Sequence, residues 1–200
     1  KAEVILYDHL VNEDLLRFTK KDRFLFLYFI IRHIQPTNSM SAIHIDTGRS
    51  QLVEVPIHHP EFFRQCIDYI KDKLKHRPEI LVFNKVCYQN RAIAFFSDKS
   101  RGYHYSRKLM PSQPLGDILT RLLEMTNKIF GTSFNGILVN YYADGTETIG
   151  DHSDDESGLH NGMVVALSLG AERKFRIRDK QTKKIVKDVK TKHSTYLIMN

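Results

Sequence analysis

Beyond Gly131 the chain is built of short segments with strand period, and no other feature limits its fold so tightly. Residues 135–142, 164–169, 174–178, 185–189 and 195–199 are apolar or alternating runs bounded by turn-forming or polar residues, so each reads as a β-strand. Helical spacing is confined to what comes before. In residues 116–130, Ile118, Leu119, Leu122, Leu123, Met125 and Ile129 fall on one side of a helix that Gly131 stops. His58-His59-Pro60 introduces a second helix over 61–75, with Phe62, Cys66, Ile67, Tyr69 and Ile70 on its inner side. Residues 52–57, 80–83 and 92–96 add strands. A few helices followed by many strands suits an α+β, mainly β architecture: a double-stranded β-helix, or jelly roll, with helices buttressing one sheet.

Residues 1–51 do not follow this pattern and are expected to form an N-terminal extension to a domain spanning 52–200. Asn12 is placed to cap a helix beginning at Glu13. FLFLYFIIRHI, residues 24–34, is apolar on all sides, so it reads as either a buried helix or a buried strand. Its apolar core, 24–31, is far too short to span a bilayer, and no signal segment is visible, which together argue against a membrane partner. Only two cysteines occur, Cys66 and Cys87, as expected of reduced thiols in an intracellular setting, nuclear or cytoplasmic. A formal net charge of +7 favours polyanionic partners.

The chemistry concentrates in FNGILVNYYADGTETIGDHSDDE, residues 134–156. Residues i and i+2 of an extended strand point to one face, so the imidazole of His152 and the carboxylate of Asp154 can converge on one cation. Two histidines and a carboxylate make the facial triad of non-haem Fe(II) oxygenases, and H-x-D supplies two of the three. By the same alternation Asn140 and Tyr142 share a face and can together hold an organic acid. A lone H-x-D is often only part of a solvated acidic loop.

This N-x-Y, the H-x-D-D-E that follows and the run MVVALSLGAERKFRIR (163–178) together resemble the AlkB family of Fe(II)- and 2-oxoglutarate-dependent dioxygenases. The resemblance covers roughly the last 120 residues. Val82-Phe83-Asn84-Lys85 resembles the V-F-G-K turn that double-strand-preferring members push into DNA. Asn90-Arg91-Ala92-Ile93-Ala94-Phe95-Phe96-Ser97-Asp98 is similar to the family's P-R-x-x-A-x-Y-G-D segment, and Tyr103-His104-Tyr105-Ser106-Arg107 to its Y-x-Y-S block. Asn90 stands for the proline, Phe96 for the tyrosine and Asn84 for the turn glycine. The first two departures should matter little to the chemistry, and asparagine tolerates the left-handed backbone such a turn requires.

The resemblance implies a cupin-like jelly roll with His152 and Asp154 as iron ligands, Asn140 and Tyr142 as 2-oxoglutarate ligands, and O2 as oxidant. It implies oxidative demethylation of N-alkylated bases in DNA, 1-methyladenine and 3-methylcytosine, with release of succinate and formaldehyde and with Asp155 recognising the exocyclic amine. Phe83, Asn84, Lys85, Phe96, Tyr103 and Tyr105 fall to the nucleic acid, together with Lys180, Lys183 and Lys184 of a basic hairpin that continues through Lys187, Lys190 and Lys192. Tyr103 and Tyr105 share a face and serve equally for cross-strand packing or for stacking on a flipped base. The family's second iron histidine and its 2-oxoglutarate arginine lie beyond the strand that here is 193–200, so the chain reads as a fragment at both ends, whose turnover alone should be poor or absent. His193 opens that strand and is not the third ligand. A monomer is expected. An RNA-directed AlkB-type enzyme and a catalytically inactive nucleic-acid-binding relative are the rival readings.

Overall fold

The computed structural model describes residues 4–9, 24–31, 41–47, 50–82, 84–105, 108–152 and 163–199. Its largest sheet has eight strands, in the order β3 (Ala42–Asp46), β4 (Gln51–Pro56), β16 (Thr195–Met199), β13 (Met163–Gly170), β2 (Phe24–Ile31), β11 (Ile137–Tyr142), β8 (Ala92–Phe96) and β5 (Lys75–His76). A second sheet orders β12 (Ile149–His152), β1 (Val4–His9), β14 (Arg173–Asp179) and β15 (Ile185–Thr191). Two hairpins stand apart, β6 (Glu79–Val82) with β7 (Lys85–Tyr88) and β9 (Gly102–Tyr105) with β10 (Lys108–Pro111). Pairing between the named strands is antiparallel.

Strand alternation divides the core into two. Ile137, Val139 and Tyr141 of β11, Val165, Leu167 and Leu169 of β13, and Tyr196 and Ile198 of β16 turn to one face of the large sheet. There they pack on Phe63, Cys66 and Ile70 of α1 (Pro60–Lys71) and on Leu119, Leu122, Leu123 and Phe130 of α2 (Gly116–Phe130). Tyr142, Val164, Ala166, Leu197 and Met199 face the other way and meet Ile149, Phe175, Ile177 and Val189 of the small sheet. The result is helices on a sheet on a sheet, the expected jelly roll buttressed on one side.

Some polar side chains in these layers pair within the fold. The Thr126 hydroxyl donates to the Leu122 carbonyl and lies 2.7 Å from the Tyr196 hydroxyl, inside the helix–sheet core. Helix α2 ends at Gly131, whose φ of 62° is the left-handed cap that glycine adopts without a Cβ penalty. Helix α1 stops at Lys71, short of the expected residue 75, because Lys75 and His76 are taken into pairing with Ile93 and Ala92 at the sheet edge.

The all-apolar segment 24–31 resolves as a strand. It lies between β11 and β13 and pairs with both, Phe26 opposite Asn140 on one side and Ser168 on the other. A helix in that slot would leave the facing backbone groups of both neighbours without partners inside the sheet. Strands on either side of residue 51 therefore share sheets, β1 with β12 and β14, β2 with β11 and β13, β3 with β4. The helix expected from Glu13 falls outside the described residues. Leu27 is fully buried against the helix-side core. Leu27→Ala should cost about 3–5 kcal/mol in chemical denaturation, the range for a buried leucine truncation; a change under about 1 kcal/mol would exclude this placement of β2.

Candidate active site

Three of the candidate ligands lie on strands of two different sheets, Asn140 and Tyr142 on β11 and His152 on β12. Asn140 and Tyr142 alternate with the helix-facing Val139 and Tyr141 on β11, so both turn toward the space between the sheets, where they are 2% and 1% exposed. His152 closes β12 on the opposing sheet, opposite Leu6 of β1, and is partly buried. One loop, residues 143–148, joins the two strands.

That loop is pinned from three directions. Within it, Asp144 Oδ1 accepts from the Thr146 amide at 2.8 Å and hydroxyl at 2.7 Å, which holds the Asp144 carboxyl below its ordinary pKa, and Glu147 Oε2 accepts from the Ala143 amide at 2.6 Å. From one side Asn90 donates its side-chain amide to the Thr146 carbonyl at 2.9 Å, and its carbonyl accepts the Thr148 amide at 3.0 Å. A proline at position 90 could not make the first contact, so the departure from the family pattern carries a tether. From below, Arg173 donates to the Asp144 carbonyl at 3.3 Å and to the Glu147 carbonyl at 2.6 Å. The Arg173 guanidinium also lies 4.0 Å from the Tyr142 ring centroid, a cation–π contact in a site 1% exposed.

A second arginine serves the other β11 residue. Arg91, 6% exposed at the entry to β8, donates Nε–H to Asn140 Oδ1 at 2.6 Å. Arg91 is the arginine of the P-R-x-x-A-x-Y-G-D-like segment and Arg173 lies within the run 163–178, yet neither is among the residues the resemblance assigns to the site. A signal exists for Arg173, which alternates in phase with apolar Phe175 and Ile177 while Lys174, Arg176 and Arg178 occupy the other face of β14. On that other face Arg176 is bidentate to Asp188 at 2.7 Å for both bonds, and this holds the Asp188 carboxyl below its usual range.

The donor set fits the expected groups. His152 Nδ1 lies 2.9 Å from the Gly150 carbonyl, the contact that commonly fixes a metal-ligating histidine by placing the proton on Nδ1 and making Nε2 the basic nitrogen. Asn140, a phenol and two buried guanidiniums suit an organic anion. Ser168 adds a fully buried hydroxyl that has no hydrogen-bond partner among the described residues and lies in the same cross-strand row as Asn140. Asp154 and Asp155 fall outside the described residues, as does Phe83. No cluster of three or more metal-binding side chains occurs among the described residues. His193, rejected as a ligand, instead accepts the Gly170 amide at Nδ1, 3.0 Å away, and burial lowers its pKa.

The residues read as nucleic-acid contacts spread over other surfaces. Asn84 has φ 60°, so the β6–β7 turn keeps its left-handed residue without glycine, and Lys85 beside it is exposed. Lys108 of β10 bridges to Glu79 of β6 at 2.8 Å and links the two hairpins. Tyr103 is partly buried with its ring 5.9 Å from Phe95. The side chain of Tyr105 is outside the described residues. Phe96 is fully buried on the helix side, 6.2 Å from the Tyr69 ring, and so packs the core away from any nucleic-acid surface. Lys183 and Lys184 are exposed and Lys180 partly so, around a turn in which Asp179 Oδ1 accepts the amides of Gln181 and Thr182.

A jelly roll with a buried N-x-Y pair and buried cations, and a histidine one short loop away, defines a class, and comparison with known proteins supplies it. The model of the 2OG-Fe(II) oxygenase superfamily matches residues 59–200. The chain belongs to that superfamily and, within it, to the AlkB family of dioxygenases. It is similar to the mouse DNA oxidative demethylase ALKBH2, 34% identical over 106 residues, which are 52% of this chain and 44% of the relative. It is also similar to the rat alpha-ketoglutarate-dependent dioxygenase alkB homolog 3, 39% identical over 84 residues, 39% of this chain and 27% of the relative. An Arabidopsis thaliana DNA oxidative demethylase ALKBH2 is 26% identical over 155 residues, 72% of this chain and 49% of the relative. The chain thus spans less than half the length of these relatives.

Removing the loop clamp should be costly. Arg173→Met leaves two loop carbonyls without their charged donor, and at about 1.5–3 kcal/mol per hydrogen bond to a charged group we expect a loss of about 3 kcal/mol. Amide exchange at Thr146 and Thr148 should accelerate in parallel. Unchanged exchange at both amides would remove the clamp.

Proposed function

We propose that the whole protein is an oxidative demethylase of N-alkylated bases in DNA, with 1-methyladenine and 3-methylcytosine as substrates. The observation that carries this is the placement of Asn140 and Tyr142, buried side by side on β11, a short pinned loop away from His152. In this reading Asn140 and Tyr142 hold 2-oxoglutarate, and His152 and Asp154 hold Fe(II) together with a further histidine. The chemistry that bound Fe(II) and 2-oxoglutarate supply with O2 is hydroxylation of the N-methyl carbon, which then leaves as formaldehyde while 2-oxoglutarate becomes succinate and CO2. The Gly150 carbonyl keeps the His152 ring in the orientation and tautomer a ligand needs. The interior face of the large sheet keeps water from the anion, and this strengthens every polar contact made there.

Recognition belongs to the periphery. A base methylated on its Watson–Crick edge must leave the stack, at a cost of a few kcal/mol that is smallest where pairing is already broken. Phe83, on the turn that Asn84 shapes and Lys85 flanks, acts as a wedge filling the gap. Asp155 touches the exocyclic amine, and Lys180, Lys183 and Lys184 neutralise phosphates. Similarity to relatives named as DNA oxidative demethylases supports DNA as the substrate. Among the described residues no helix is long and apolar enough to cross a membrane.

In the full-length protein, formaldehyde release from 1-methyladenine DNA should require Fe(II) and 2-oxoglutarate and vanish in His152→Ala and Asp154→Ala; activity surviving in either variant sinks the iron assignment. Asp155→Ala should cut demethylation while leaving uncoupled 2-oxoglutarate turnover largely intact. For the wedge, Phe83→Ala should lose activity on methylated duplex alone, with unchanged thermal melting. A parallel loss on single strands with a lowered melting point would make Phe83 a core residue, for which truncation costs about 3–5 kcal/mol.

A further inference from the structure

We infer that Arg91 is a positioning residue that fixes the Asn140 side chain as a hydrogen-bond donor toward the cosubstrate. This rests on the reading that Asn140 binds 2-oxoglutarate. A carboxamide carries an acceptor oxygen on one side and two donor hydrogens on the other, and rotation about its last bond exchanges them. A guanidinium has donors and no acceptor, so the Asn140 atom that meets Arg91 Nε–H at 2.6 Å has to be Oδ1. The amide nitrogen is thereby the group Asn140 presents elsewhere. That is the polarity a carboxylate demands, because its oxygens only accept. With Arg91 absent, the rotated amide would set Oδ1 against the anion.

The contact is built to hold. Both residues are buried, at 6% and 2% exposure, where a charge-assisted hydrogen bond is strengthened by the low local dielectric. Arg91 is anchored in turn: its carbonyl accepts the Arg77 amide at 3.1 Å, and the preceding Asn90 is doubly tied to the 143–148 loop. Ile93 of the same strand pairs directly with Asn140, which sets the register of β8 against β11. The arginine side chain therefore approaches Asn140 from a fixed backbone position.

A double-mutant cycle on 2-oxoglutarate affinity tests the inference. The full-length protein, loaded with redox-inactive Mn(II), is titrated calorimetrically with 2-oxoglutarate as wild type, Arg91→Met, Asn140→Ala and the double variant. Melting temperature and Mn(II) affinity report folding and the metal site. If Arg91 acts through Asn140, each single variant should raise Kd by about tenfold, the double variant by about tenfold and not a hundredfold, with Mn(II) affinity unchanged. Multiplicative losses would mean that Arg91 reaches the anion directly and would overturn the positioning role. Unchanged affinity in Arg91→Met beside weakened binding in Asn140→Ala would overturn it too. Unchanged affinity in Asn140→Ala would instead remove the cosubstrate reading of β11. Should Arg91→Met fold poorly, Arg91→Lys, which keeps the charge without the planar fork, is carried through the same cycle with the same outcomes deciding.

Discussion

Burying a guanidinium is expensive unless its donors find acceptors and its charge finds compensation, and the interior end of β14 is organised around meeting that demand for Arg173. Its acceptors are the Asp144 and Glu147 carbonyls, and its π face is the Tyr142 ring. One side chain thus ties the last residue of β11 to the loop that leads to His152. Any loop conformation that withdrew those carbonyls would take two charge-assisted hydrogen bonds from a buried guanidinium, at about 1.5–3 kcal/mol each. Asn90 closes the same loop from the bend that precedes β8, so two separate parts of the chain jointly set its path.

Strand β11 is where packing and chemistry meet. One face supplies Ile137, Val139 and Tyr141 to the core beneath the helices, and the other presents Asn140 and Tyr142 to the space between the sheets. A shift of one residue in its pairing would exchange these faces, so the apolar contacts with α1 and α2 hold the polar residues in their orientation. The buried arginines are consistent with this division. Arg91 addresses Asn140 through a hydrogen bond and Arg173 addresses Tyr142 through a cation–π contact, on a strand paired on both sides within the sheet. Beyond this interior, the hairpins β6–β7 and β9–β10 form separate two-stranded units joined by Lys108 and Glu79.

Local regularities are legible in the amino-acid sequence. The bounds of α2, the shared face of Asn140 and Tyr142 and the left-handed turn residue at Asn84 each depend on spacing or on one residue's conformational range. What the sequence hides depends on partners distant along the chain. Residues 24–31 are equally apolar on every side, so period cannot separate helix from strand. Residue 75 leaves its helix because an edge strand claims it. Phe96 matches a family position yet lies in the core, since all five residues of β8 are buried.

The sequence by itself determined which residue types could meet: an H-x-D pair, an N-x-Y pair and helices with one apolar stripe, because alternation and helical period are properties of a few consecutive residues. Tertiary structure decided that β2 would lie between β11 and β13, that Arg91 would meet Asn140 49 residues away, and that Arg173 would hold a loop 26 and 29 residues upstream. Those choices follow from the need to satisfy backbone donors inside a sheet and charges inside a core, and such partners are found only when the whole chain has collapsed around them.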